Sequence, residues 1–217
     1  LAATGARPIE WLCRELAPDH RWQLVHATHA TAAEINSVAH AGAGMVICPS
    51  TEGNLGDGLA DLPAWLAEQV PMAIGSDSHV SRSWAEELRW LEYGQRLNLQ
   101  RRNVAAAPGL GQPSTAARLF EAALDGGRGA AGAKKWGLAN GARADALVLD
   151  THSPGLLGIA PTHLLDALVF ATNAPAVREV YVAGKRVVAD GKHPREEAIA
   201  GRFADVMKEL WDNVERQ

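Results

Sequence analysis

Three short apolar runs constrain what this chain can fold into. WQLVHA (22–27), GMVICP (44–49) and PMAIGSD (71–77) each read as a strand apolar on both faces, and each leads into a helical pattern. They recur every 22 to 28 residues or so, which leaves room for one helix per crossover, where a hairpin would need only a few residues. Strands of this kind alternating with helices imply a parallel sheet covered on both sides, and so an α/β fold. The helices carry their own start and stop signals. Thr31 with Glu34 three residues on is a capping box, and Gly42 stops the helix over 31–42. Asp61 caps a short helix over 61–69. Ser83 with Glu86 starts an amphipathic helix over 83–97 that aligns Trp84, Leu88 and Leu91. The stretch between the second strand and Asp61, STEGNLGDG (50–58), reads as a Gly-rich loop, with Gly53, Gly56 and Gly58 relieving the backbone rather than cradling a phosphate.

Each run ends in polar residues: His26, Ser50 and Asp77. In a (β/α)8 barrel functional side chains collect at the C-terminal ends of the strands, and the repeat length suits such units. A doubly wound open sheet fits the same local pattern, and three strands complete neither architecture. The texture changes downstream. A helix is expected over 114–127, then a strand over 144–150, and then a hairpin over 177–192 turning at Ala183 and Gly184. An amphipathic helix over 196–214 closes the chain. The expected organisation is a barrel portion over 1–136, part of a small β-domain over 137–195, and a terminal helix over 196–217. The chain opens on Leu1 and runs at once into helical spacing at Ile9, Leu12, Cys13 and Leu16, so a preceding segment is expected.

Composition excludes several classes of function. A net charge of −4 without a basic stripe argues against a general nucleic-acid binder. No apolar run approaches the roughly 18 residues of a membrane span, and no signal-peptide pattern opens the chain. Two cysteines, Cys13 and Cys48, are too few for a disulfide scaffold and suit a reducing compartment, so cytoplasm is expected.

Among residues that can carry chemistry, Asp77 in GSDSH follows a buried strand, where a carboxylate costs several kcal/mol to bury unless paired or metal-bound. On pattern alone it is equally a turn or cap aspartate. His26 ends a strand two βα units earlier. On a barrel rim the two would share one bowl, and imidazole beside carboxylate is a pair that activates water. A core histidine satisfied by backbone is the alternative. His29, His79, Arg82, His20 and His40 read as loop or helix-surface positions, and Cys48 as a small core hydrophobe. The seven tryptophans read as packing residues at helix–barrel seams. There is no HExxH, CxxC or GxSxG motif.

The strings LVHATH, VICPSTEGNLGDG and IGSDSHVSRSWAEELRWLEYGQRL resemble the amidohydrolase superfamily, and the formimidoylglutamate deiminases in particular. GARADALVLD and VREVYVAGKRVV resemble that family's composite β-domain, built from both chain termini. The resemblance runs from about Pro8 onward. It implies strands 6–8 of a (β/α)8 barrel plus part of a small β-sandwich domain. His26 would end strand 6, and Asp77 would end strand 8. It further implies that Asp77 ligates one divalent metal, usually zinc, and takes a proton from the metal-bound water, while His26 hydrogen-bonds the nucleophile or the tetrahedral adduct. The implied reaction converts N-formimino-L-glutamate to N-formyl-L-glutamate and ammonia. The family's strand-1 His-x-His pair, strand-5 histidine and strand-5 HxxE glutamate have no match here, nor do its substrate arginines. Asp77 is therefore the one expected metal ligand in the chain. A small dicarboxylate substrate, a homodimer and a complementary N-terminal half are the expected partners, and the chain alone is expected to be inactive. Two other readings stand beside this one: a deaminase or chlorohydrolase acting on a purine, pterin or triazine, and a non-catalytic half-barrel.

Overall fold

The computed structural model describes residues 4–173 and 176–214. Helix α1 (Pro8–Leu16) packs on α2 (Ala32–Ala41), and between them runs strand β1 (Gln23–Val25). Strand β2 (Gly44–Ile47), helices α3 (Pro49–Leu55) and α4 (Leu62–Ala67), strand β3 (Met72–Ile74) and helix α5 (Trp84–Leu99) follow. The three strands lie in the order β1-β2-β3, both pairs parallel, with Val25 opposite Val46 and Ile47 opposite Ile74. The predicted strands are thus present and parallel, each shorter than its apolar run. The capping box at Thr31 is formed: its hydroxyl accepts from Glu34 N–H at 3.3 Å, and Glu34 accepts from Thr31 N–H at 2.9 Å.

The core lies between sheet and helices. Ile35, Met45, Ile47, Leu62, Trp65, Met72, Leu88 and Leu119 are buried in one cluster. Burying a side chain of this size contributes about 1.5–3 kcal/mol, so the cluster supplies most of the drive for placing helices on the sheet. Trp65 and Trp84 pack inside, as expected of seam residues, but Trp22, Trp90, Trp136 and Trp211 are exposed. Those four stand outside the packing formed by the described residues.

Two helices were not announced by the pattern. The segment read as a Gly-rich loop begins with α3. Pro49 sits at its first position, where a missing N–H costs nothing, and Gly56 ends it at φ 72°. Gly58, at φ 104°, does relieve the backbone as expected. Helix α7 (Leu164–Phe170) packs on α5 and on α6 (Thr115–Ala130), and buries Val169 in the main core. The second sheet is antiparallel, ordered β4 (Ala146–Leu149), β5 (Val177–Val182), β6 (Lys185–Val188). Its hairpin turns at Ala183 and Gly184, both at positive φ (51° and 76°), as a primed turn demands. Helix α8 (Glu196–Val214) closes the chain with Phe203, Val206, Leu210 and Trp211 exposed. No helix among the described residues is long and apolar enough to cross a membrane.

Helix α6 approaches β3 so closely that a Cβ on Gly126 would stand 2.2 Å from the Met72 backbone, whereas one on Gly127 would meet nothing within 4 Å. Alanine therefore has opposite effects at neighbouring positions. Gly127→Ala should stabilise by about 0.5–1 kcal/mol through backbone entropy. Gly126→Ala should destabilise by about 1–3 kcal/mol, because the helix must move off the strand. Urea midpoints of the two variants check the pair.

Candidate active site

The site lies at the C-terminal ends of the three parallel strands. His26 N–H still pairs with Val46 O at 2.8 Å, extending the β1 ladder by one bond, and then the backbone breaks into the left-handed region at φ 69°. Ala27 follows at φ 48°. Asp77, beyond β3, sits at φ 39°, and His79 at φ 58°. Left-handed backbone on non-glycine residues costs on the order of 1–3 kcal/mol each and collects where geometry is imposed by function. Here it turns the two side chains toward each other. His26 Nε2 is 3.6 Å from Asp77 Oδ2, and both side chains are about 40% open (39% and 42%), so the pair is reachable by a small molecule.

Behind this pair the site is closed. Cys48, at the end of β2, is buried, and its Sγ packs so tightly on Gly75 that a Cβ there would lie 3.0 Å away. Donor atoms of His26, Cys48 and Asp77 all lie within 4.8 Å of one another. Cys48 is thus both the small buried residue expected and a lining group of the site. Burial, then the nearby Glu52, Asp77 and Glu87 carboxylates, push its thiol up to about 11, so it stays protonated at neutral pH. Glu52, 3% exposed, is the residue that sequence reasoning missed. Its Oε1 accepts from Cys48 N–H at 2.9 Å and lies 3.3 Å from His26 Nδ1. Burial raises its pKa against the opposing pull of these two partners. Pro49 followed three residues later by a glutamate is a helix-start signal that could have found it.

The remaining strand-end residues do other work. Ser50 turns away from the site and joins α3 to α5, donating from Oγ at 2.6 Å and from N–H at 2.9 Å to buried Glu87. Thr51 Oγ1 accepts from Ser78 N–H at 3.3 Å and lies 2.9 Å from Ser78 Oγ, pinning the loop that carries Asp77. His29, His79 and Arg82 are exposed, as their loop reading predicted.

The amidohydrolase family profile matches residues 4–187. The chain belongs to the amidohydrolase family. It is 48% identical over 211 residues to a formimidoylglutamate deiminase from Pseudomonas aeruginosa, covering 97% of this chain and 46% of that protein. It superposes on the crystal structure of an amidohydrolase from Brucella melitensis with a TM-score of 0.90 at 39% identity, covering 97% of this chain and 46% of that one. An adenosine deaminase from Xanthomonas campestris with bound zinc shares the fold, with a TM-score of 0.80 at 23% identity, covering all of this chain (100%) and 47% of that one. The chain therefore spans about half the length of the relatives it matches.

As an amidohydrolase site the constellation suits one side of a divalent metal. A carboxylate oxygen and an imidazole nitrogen are donor types that zinc accepts, and they stand within a coordination sphere's width of each other. The Cys48 thiol, neutral and packed on Gly75, is a poorer donor until it loses its proton. Because its folded pKa lies above that of an ordinary thiol, near 9.0, the folded state holds the thiol proton more tightly than the unfolded one. The associated stability is complete below pH 9 and lost as pH rises through about 11. In metal-free protein, Cys48→Ala should flatten the fall in stability between those pH values, checked by urea unfolding across the alkaline range.

Proposed function

We propose that this chain carries strands 6–8 and part of the catalytic centre of a zinc-dependent deiminase that hydrolyses N-formimino-L-glutamate to N-formyl-L-glutamate and ammonia. The observation that carries the reading is the His26–Asp77 pair at 3.6 Å on the strand ends of a chain 48% identical to a formimidoylglutamate deiminase. Asp77 would hold the metal on this side, with the remaining ligands supplied by the N-terminal half of the protein. A bound divalent ion supplies Lewis acidity and lowers the pKa of water towards roughly 7. Asp77 takes the proton of the attacking water and passes it on toward the departing nitrogen. His26 Nε2 hydrogen-bonds the oxygen that adds to the formimino carbon. The C–N bond to the terminal nitrogen then breaks and ammonia leaves. A dicarboxylate substrate, a homodimeric assembly and a cytoplasmic location belong to the same proposal, as do the domain limits near residues 136 and 195.

The test is a substrate panel on the protein that contains this chain, loaded with zinc. N-formimino-L-glutamate should give ammonia and N-formyl-L-glutamate in equal amounts. Turnover confined to a purine, pterin or triazine would move the assignment to another member of the family. Turnover of none would favour a non-catalytic half-barrel.

A further inference from the structure

We propose that Glu52 is the positioning residue that fixes the tautomer of His26, holding the ring proton on Nδ1 and leaving Nε2 bare toward Asp77. The proposal deepens the catalytic reading of His26 and rests on it for its consequence in turnover. Three groups compete for one proton here. Neutral imidazole carries a single N–H, and the hydrogen bond made by one ring nitrogen decides the state of the other. Nε2 faces the Asp77 carboxylate at 3.6 Å, and Nδ1 faces Glu52 Oε1 at 3.3 Å. Of the two, only the Nδ1–Glu52 separation is within hydrogen-bond reach, and Glu52 Oε1, held by Cys48 N–H at 2.9 Å, is the acceptor the ring proton meets, which puts that proton on Nδ1.

Without that acceptor the ring proton would move to Nε2 and point at Asp77. It would then occupy the carboxylate oxygen that has to receive a proton from water, and remove the lone pair that Nε2 offers to the adding oxygen. Glu52 prevents this from a rigid position. It is 3% exposed, one turn into α3, and its reach back to the Cys48 N–H ties the carboxylate to the end of β2. A buried carboxyl costs several kcal/mol unless its partners satisfy it, and the hydrogen-bond partners of this one are Cys48 N–H and the His26 ring. The left-handed backbone at His26 sets the direction of the ring, and Glu52 sets its proton.

The experiment is 15N NMR of the ring nitrogens in the full protein labelled at histidine, at a pH where His26 is neutral. His26→Asn assigns the signal. The wild-type protein should show a protonated Nδ1 and a bare Nε2. A protonated Nε2 in wild type would overturn the proposal without any Glu52 variant. Glu52→Gln keeps an acceptor oxygen and should keep the tautomer, whereas Glu52→Leu keeps the volume and should move the proton to Nε2. In turnover, Glu52→Leu should lower kcat about 10–100-fold with KM little changed. In a His26→Asn background it should cost nothing further, because its effect runs through the ring. An equal loss in both backgrounds, or an unchanged tautomer in Glu52→Leu, would show a merely structural role. The spectrum is read without substrate, so a protein with the Nδ1–H tautomer and no deiminase activity would sink the functional reading and leave this one standing.

Discussion

Glu92→Ala should destabilise this protein by on the order of 3–5 kcal/mol. Glu92 is fully buried, and both its oxygens accept hydrogen bonds. Oε1 accepts from Arg96 Nε at 2.7 Å and from Val104 N–H at 2.8 Å, and Oε2 accepts from Ala105 N–H at 3.0 Å. These bonds fold the segment after α5 back onto the helix and seat Ala105 in the core, where Arg118 also binds its carbonyl at 2.8 Å. Alanine would leave the Ala105 N–H buried without an acceptor and Arg96 without its counter-charge. Glu92→Gln should lose less, since its amide oxygen can still take one backbone N–H. Urea unfolding checks both, with the midpoint falling and the slope unchanged. A loss below about 1 kcal/mol for Glu92→Ala would mean that water replaces the carboxylate at little cost.

The fold was legible in the sequence where one physical signal dominated. The three parallel strands were legible because runs such as GMVI and MAI are apolar throughout, and α2 and α5 because Thr31, Gly42 and Ser83 mark their ends. Helix α3 was hidden because Gly53, Gly56 and Gly58 look like a loop, although Gly53 lies within the helix and Gly56 ends it. Helix α7 was hidden because seven residues are too few to show a period. At the site, position told more than residue type. His26 and Asp77 stood out as strand-end groups, and the structure brings them together. Cys48 could not be oriented, because a strand buried on both faces carries no alternation to say which way its residues point. Glu52 meets His26 across 26 residues of sequence, a contact made only when β1 and β2 pair. The exposed stripe of Trp211, Leu210, Val206 and Phe203 on α8 is an amphipathic face that the described residues do not cover.

On the proposed mechanism, replacing the Asp77 carboxylate should have the largest effect on turnover. Asparagine keeps its size and tolerates the left-handed backbone that Asp77 adopts at φ 39°, so the fold should survive. It cannot accept a proton, and it weakens the oxygen donor offered to a divalent ion. General-base function alone is worth about 10²–10⁴ in rate, and loss of the metal adds to that. Asp77→Asn should therefore release ammonia from N-formimino-L-glutamate at least about 10³-fold more slowly than wild type, with an unchanged urea midpoint. The most direct test of the assignment is that rate, measured on the zinc-loaded protein containing this chain beside its Asp77→Asn variant. A fall of that size in a folded variant is the predicted result, and a variant within about tenfold of wild type would contradict it.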